Sequence, residues 1–342
     1  MDAIFVTGGA GYIGSHACKA LAAAGFLPIA YDNLSTGHAY AVKWGPFVEG
    51  DLNNRAKLDE AIKSYRPLVV LHFAGSALVS ESIADPGKYY RNNVANTISL
   101  LEAMREFQIH HLVFSSTCAT YGDPQFTPIT EAHPQLPISP YGRSKLMIEQ
   151  IIADFERAYS IRSVTLRYFN VAGADLATEI GENHMPETHL IPSVIQAALG
   201  MKSEMVVYGT DFPTRDGSAV RDYVHVQDLA EAHVAALKWL IANKKSIAVN
   251  LGTGTGYSVL EIIAAVQKFC GKPIPARLEK RKAGDPSSLT ADSTLAKELF
   301  GWTPHASDLH TLIESAWKWH KLLRENSAIL RSTLTRLEEQ KC

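Results

Sequence analysis

Apolar positions in the first half of the chain fall into six short runs: "AIFVTGG", "FLPIAYD", "GPFVEGD", "LVVLHFAG", "HHLVFSS" and "VTLRYFN". Each is rich in β-branched and aromatic residues and too short for a helix. Between them lie segments with apolar residues every three or four positions: "GSHACKALAAAG", "KLDEAIKSY", "VANTISLLEAMREF" and "KLMIEQIIADFERAY". Strand and helix patterns in alternation predict an α/β fold, a doubly wound parallel sheet with helices on both faces. After Val171 the rhythm breaks into a polar loop, "GADLATEIGENHMPETH", and then mixed helices and short strands. The reading is a first domain over 1–171, a smaller mixed α/β C-terminal substrate domain over 172–325, and a tail over 326–342. The strands in "DYVHV" and "AVNLGTG" are candidates to return to the main sheet or its edge. "SVLEIIAAVQKFCG" has Ser258 and Glu261 at capping-box spacing and Gly271 as its stop. The last helix starts at an Asp308 cap.

"VTGGAGYIGSH" sets Gly8, Gly11 and Gly14 between the first strand and the first helix. The first two permit a tight turn and close approach of a pyrophosphate, and the third permits close packing of helix on sheet. Asp32 ends the second strand, where an acid accepts hydrogen bonds from a ribose and repels a 2′-phosphate. This is a Rossmann-type fingerprint that favours NAD over NADP. Asp32 also suits the cap of the turn "DNLSTG". Asp51 and Phe73 end the next two strands, as cofactor contacts or as turn residues.

In "SPYGRSK", Ser139 and Pro140 form an N-cap and first-position pair, so Tyr141 and Lys145 share one helix face. Of thirteen tyrosines, only Tyr141 has a lysine four positions on. A phenol titrates near 10, and Lys145 together with a nicotinamide cation favours the phenolate, a base for an alcohol losing hydride. Thr117, at the end of a neighbouring strand, is placed to share that proton.

The net charge of −2 gives no footprint for nucleic acid, and no apolar stretch reaches membrane-spanning length. No leader pattern is present, so the expected place is the cytoplasm. Cys18, Cys118, Cys270 and Cys342 are too scattered for a disulfide framework or a zinc site, and the reading assigns free thiols and no metal.

"TGGAGYIG", "SSTCATYG", "SPYGRSK", "YYRNNV", "LRYFNVAGA", "DGSAVRDYVHVQDLA" and "NLGTGTGYSV" together resemble the extended short-chain dehydrogenase/reductase family, specifically its UDP-sugar 4-epimerases of the UDP-glucose 4-epimerase type. The resemblance implies reversible oxidation at C4, rotation of the keto sugar and return of the hydride to the other face, with Tyr141 as base and acid, Lys145 its electrostatic partner and Thr117 the relay. It implies NAD contacts from Tyr12, Ile13, Asn33, Leu52, Ala74, Asn93, Ser115 and Tyr168. It implies a UDP-sugar held by Thr117, Tyr141, Asn170, His189, Leu190, Val207, Tyr208, Arg221, Lys282, Asp285 and Leu289. Arg221 has a competing reading as a surface ion-pair residue, and Arg281 competes with Lys282 for the diphosphate. Related dehydratases carry an acid after the catalytic threonine, where this chain has Cys118 and Ala119. Ala77 and "NVANT" are similar to the UDP-arabinose/UDP-xylose branch, which leaves hexose and pentose both open. A non-catalytic NAD and nucleotide-sugar sensor and a dehydrogenase releasing NADH are the other readings. The family also implies a homodimer through helices near 88–107 and 144–160, and Leu289 is expected to disfavour N-acetylated sugars.

Overall fold

The structure is a computed structural model that describes residues 1–281 and 285–339. The six runs become β1 (Ala3–Thr7), β2 (Leu27–Asp32), β3 (Phe47–Glu49), β4 (Val69–His72), β5 (His111–Thr117) and β6 (Arg162–Tyr168). The second half adds β7 (Asn170–Ala172), β8 (Met205–Tyr208), β9 (Val220–His225), β10 (Ile247–Leu251), β11 (Gly256–Ser258), β12 (Ala276–Glu279) and β13 (Ser288–Leu289). One seven-stranded sheet runs β10-β6-β5-β4-β1-β2-β3, every neighbouring pair parallel. The "AVNLGTG" strand thus takes the sheet's edge. The "DYVHV" strand does not return: β9 pairs with β7, β11 and β13 in a separate four-stranded sheet, and β8 pairs with β12. Its alternation cannot say which sheet it joins, because either would bury one of its faces.

The helices are α1 (Tyr12–Ala23), α2 (Arg55–Tyr65), α3 (Val79–Ala84), α4 (Pro86–Tyr89), α5 (Asn96–Glu106), α6 (Pro140–Tyr159), α7 (Leu190–Ala198), α8 (Val226–Asn243), α9 (Val259–Cys270), α10 (Thr294–Phe300) and α11 (Leu309–Glu339). Strand alternation divides the core. Ile4 and Val6 of β1 face α1 and α8, packing with Leu21, Leu237 and Leu240, while Phe5 faces the other way toward Leu58, Leu100 and Ile148 of α2, α5 and α6. A third core of Ile191, Val194, Val207, Ile262, Val266 and Leu312 supports the C-terminal half. Ser258 and Glu261 form the reciprocal capping box, and Gly271 ends α9 in the left-handed region at φ 67°. Asp308 accepts the Thr311 N–H at the start of α11, whose backbone continues through the segment read as a tail. Tyr90–Ala95 is one π-helical stretch joining α4 to α5. No helix among the described residues is long and apolar enough to cross a membrane. Cys18, Cys118 and Cys270 are free thiols, and Cys342 lies outside the described residues.

Chain order reverses between β1 and β4: β2 and β3 lie on one side, β5, β6 and β10 on the other. In an open α/β sheet a ligand crevice opens at such a point, beyond the carboxyl ends of the strands.

Candidate active site and cofactor cradle

The glycine turn sits at that crevice. Gly8 has φ +72°, and a Cβ there would lie 2.7 Å from the Ala74 nitrogen. A Cβ on Gly14 would lie 2.1 Å from the Gly8 carbonyl oxygen. Gly14 is therefore required by the turn's own backbone rather than by the sheet. Gly11 caps α1 without a side-chain hydrogen bond, and no acidic residue stands in the first turn. Helix N–H groups and the positive dipole end are thus left for an anion, a fit for a dinucleotide pyrophosphate. Gly14→Ala is expected to purify with less than about a tenth of the bound cofactor of the parent chain, read as nucleotide released on acid denaturation. Parent-like cofactor content would show that the turn can widen.

Asp32 is buried at the end of β2, which pushes its carboxyl upward; it accepts the Ala10 N–H at 3.0 Å and the Leu34 N–H at 2.8 Å. It does cap its turn, and a carboxylate has acceptor capacity beyond two bonds for ribose hydroxyls. Asn33 donates to Asp51 at 2.6 Å, while Asp51 also takes the Asn53 N–H at 2.9 Å, so both shape the rim beside Asp32. Leu52 is buried in the core, and its carbonyl accepts from Ser99 at 3.0 Å. The Phe73 ring lies 4.6 Å from the His233 ring, and Ala74 N–H donates to Thr7 O at 3.1 Å. Tyr12 reaches across to the Gly173 carbonyl at 2.6 Å, and Ile13 packs on the core beneath.

The candidate proton-handling groups converge from β5 and α6. Ser139 accepts the Gly142 N–H at 3.1 Å and Pro140 opens the helix, which fixes Tyr141 in its first turn. Lys145, one turn on, is buried and donates to the Ser115 carbonyl at 2.8 Å, 4.9 Å from the Phe114 ring centre. Thr117 lies close enough to the Tyr141 hydroxyl to favour its ionised form and accepts the Ala119 N–H at 3.1 Å. Ser115 and Tyr168 bond to each other through their hydroxyls. Asn93 accepts the Ser76 N–H at 2.8 Å and donates to Ser144 at 3.1 Å, holding the loop after β4 against α6.

Protein groups alone do not favour the phenolate here. Burial pushes the Tyr141 hydroxyl well above its ordinary value, with the Tyr168 hydroxyl adding to it and the Thr117 hydroxyl working against it. Burial also lowers Lys145 to about 8. The lysine cation is directed at a carbonyl, so the chain by itself presents an acid. The fixed positive charge of an oxidised nicotinamide is the missing half of the expected tuning.

Opposite these groups, Leu289 packs with Cys118, Tyr121 and Phe169, and is paired in register with Arg221. Burial pushes the Cys118 thiol up to about 12. Arg221 donates to Asp285 at 2.5 Å, rather than to Asp222 or Asp228. Arg281 is engaged by Asp211, with contacts of 3.0 and 2.8 Å. Lys282 lies outside the described residues. Asn170 opens β7, His189 caps α7 and Leu190 begins it. Tyr208 is exposed at the end of β8, but Val207 is wholly buried in the third core and offers a ligand only its backbone.

Sequence reasoning missed the buried acids that hold these pieces. Asp222 accepts from Thr253 N, Thr253 Oγ1, Gly254 N and Ala291 N. Asp228 accepts from His305 N, Ala306 N and Ser307 Oγ. Glu149 pairs with Arg167 in the interior. An acid inside an apolar strand, as in "RDYVHV", is the signal that could have flagged the first. An apolar groove of about 940 Å³ between α1 and α8, lined by Ala20, Val234, Trp239 and Phe300, contains none of the residues assigned to cofactor or sugar.

Residues 4–252 match the model of the NAD dependent epimerase/dehydratase family. The chain belongs to that family. It is 50% identical over 319 residues to the UDP-glucose 4-epimerase of Rhizobium leguminosarum bv. trifolii, covering 93% of this chain and 97% of that protein. The crystal structure of UDP-glucose 4-epimerase from Brucella ovis in complex with NAD superposes with a TM-score of 0.91 at 51% identity, covering 93% of this chain and 98% of the other. That from Stenotrophomonas maltophila with bound NAD and formylated UDP-arabinopyranose gives 0.92 at 38% identity, covering 95% and 100%.

Proposed function

We propose that the chain is an NAD-dependent 4-epimerase that interconverts UDP-glucose and UDP-galactose in the cytoplasm. The observation that carries the reading is the convergence of Thr117, Tyr141 and Lys145 on the cofactor crevice, with no acid among their neighbours Cys118 and Ala119. NAD, when bound, supplies a hydride acceptor for C4 and the donor that gives the hydride back. Tyr141 takes the proton of the 4-hydroxyl at its phenol oxygen and later returns it. Thr117 donates to that oxygen and passes the proton along. Lys145 holds the helix turn to the Ser115 carbonyl and keeps positive charge near Tyr141. The Cys118 thiol, held protonated by burial, offers no base for eliminating water from the sugar. Arg221 and Asp285 are set for the diphosphate and the uridine; their mutual ion pair opens or re-forms around the ligand.

The assay is UDP-galactose, and separately UDP-xylose, incubated with purified protein without added cofactor, the anomeric protons followed by NMR. The expected result is formation of UDP-glucose with no NADH released. The pentose arm is motivated by Ala77 and by the arabinopyranose derivative in the Stenotrophomonas maltophila structure. A faster UDP-xylose rate would reassign the sugar. No turnover even with NAD supplied would favour the sensor reading.

Leu289 packs with Cys118 and Phe169, and the proposal makes it the side wall of the sugar pocket. UDP-N-acetylglucosamine is expected to turn over at least about tenfold more slowly than UDP-glucose, and Leu289→Ala to narrow that gap. Comparable rates in the parent chain would remove Leu289 from specificity. A homodimer through α5 and α6 is part of the proposal, supported by the exposure of Met147 on α6. Light scattering is expected to give about twice the monomer mass; a monomer at micromolar protein would sink it.

A further inference from the structure

The polar segment between the two halves carries four side chains that, His189 apart, have no part in the roles above. Glu182, His184, Glu187 and His189 each bring one ligand atom to within 4.8 Å of all the others. Glu182 and Glu187 are buried, their side chains 3% and 2% exposed. Even so, Glu182 Oε2 and Glu187 Oε2 have no hydrogen-bond partner, and neither does His189 Nδ1. A buried carboxylate oxygen left unpaired is costly, and two in one cluster with two imidazoles point to a shared positive partner.

The spacing also admits a metal ion among these groups. His189 Nδ1 lies 2.6 Å from Glu182 Oε1 and 3.3 Å from Glu187 Oε1. His184 Nδ1 is hydrogen-bonded to Glu182 Oε1 at 3.1 Å and lies 3.9 Å from Glu187 Oε2. Zinc-ligand bonds of about 2.0–2.1 Å set the atoms of a tetrahedral site about 3.3 Å apart; the contacts through Glu182 Oε1 lie at 2.6 and 3.1 Å, and the four ligand atoms, all within 4.8 Å of one another, close up around an ion by small side-chain shifts. The 2.6 Å contact is close but not aligned as a hydrogen bond, as expected of two ligands that share a centre rather than a proton. Neighbouring groups fix the ligands: Glu187 Oε1 accepts the N–H groups of Thr188 and His189 at 2.8 Å, and the Glu182 carbonyl accepts Trp319 Nε1 at 2.9 Å. Two imidazoles with two carboxylates suit zinc; magnesium and calcium prefer oxygen throughout. The two carboxylates also neutralise a divalent ion, which removes the objection to a cation beside the α7 N-terminus.

We propose that Glu182, His184, Glu187 and His189 form a structural zinc site that clamps the segment between the two halves of the molecule. The clamp sits against the cofactor cradle. The Tyr12 ring lies 6.5 Å from that of His184, and the Asn183 carbonyl accepts from His38 at 2.8 Å on the loop beyond Asp32. Zinc binding therefore stabilises both the fold and the hold on NAD.

The test starts with full-length protein purified without chelators or metal-affinity resin from zinc-supplemented cells, its metals measured by plasma mass spectrometry. The expected content is about one zinc per chain, lost in His184→Ala. A chelator is expected to lower the melting temperature, and zinc chloride but not magnesium chloride to restore it. Cobalt chloride added to the chelated protein is expected to give the strong visible bands of a four-coordinate ion. Should His184→Ala not fold, parent-chain metal content and the cobalt spectrum still decide. Less than about a tenth of an equivalent of metal, with no zinc-induced stabilisation and no cobalt bands, would overturn the site and leave histidine-carboxylate ion pairs. Another divalent ion at full occupancy would keep the site and overturn zinc.

Discussion

Tyr141→Phe is expected to lower kcat for UDP-galactose by about 10²–10⁴-fold, the range for removing a positioned general acid-base group. Bound NAD is expected to be retained. Tyr141 stands in the first turn of α6, fixed by the Ser139 cap and Pro140, with the Tyr89 ring edge-on at 6.3 Å. Phenylalanine fills the same volume, so the deletion removes an oxygen and leaves the packing. Loss of the hydroxyl's polar interaction beside Thr117 costs about 1 kcal/mol of stability, too little to unfold the chain. KM is expected to move far less than kcat, since the oxygen acts on a proton in transit rather than on the bulk of the ligand. Rapid mixing under single-turnover conditions checks this at the chemical step. A loss below tenfold would shift the proton to Thr117 or to water. Thr117→Val is then the variant that separates those two, because it leaves the phenol in place.

The second large effect is on stability. Asp222→Ala is expected to cost about 3 kcal/mol or more, lowering the melting temperature by about 6–12 °C. The carboxylate is fully buried and takes hydrogen bonds from the Thr253 backbone and hydroxyl and from Gly254 and Ala291. Alanine strands all of those donors in an apolar interior. Asparagine preserves shape but turns one acceptor into a donor facing other donors, so it is not expected to rescue. Arg221 is the next residue and Leu289 its register partner, so KM for the UDP-sugar rises with the loss. Calorimetry with steady-state kinetics reads both. A parent-like melting temperature would show that water enters and satisfies the donors.

Elements with strong local patterns were legible in the sequence. All six strand runs of the first half form β1 to β6, and the Tyr141–Lys145 spacing places both at the crevice because helical periodicity alone decides which residues share a face. What was not legible depends on long-range partners. Arg221 meets Asp285 through the pairing of β9 with β13, and nothing in "VRDY" announces it. Val207 reads like any strand residue near a ligand, yet β8 turns it into the third core. The burial that raises the Tyr141 hydroxyl was not legible for the same reason: burial is a property of the assembled site, not of the helix that carries the tyrosine. "ENHMPETH" displays its ligand types openly, but only the folded segment shows that they converge.

The place of β10 has a consequence for how the chain is made. It lies beside β6 at the sheet's edge, although the ribosome delivers it only after β7, β8, β9 and α8. Until then the nascent first domain presents an unpaired β6 edge and lacks α8, which packs beside α1 over one sheet face. Such an intermediate is open to strand addition by another nascent chain. A fragment cut at the apparent boundary near residue 171 is therefore expected to aggregate on release, whereas one extended through Leu251 carries its own edge strand. The first domain therefore looks finished along the chain well before its sheet is finished in space.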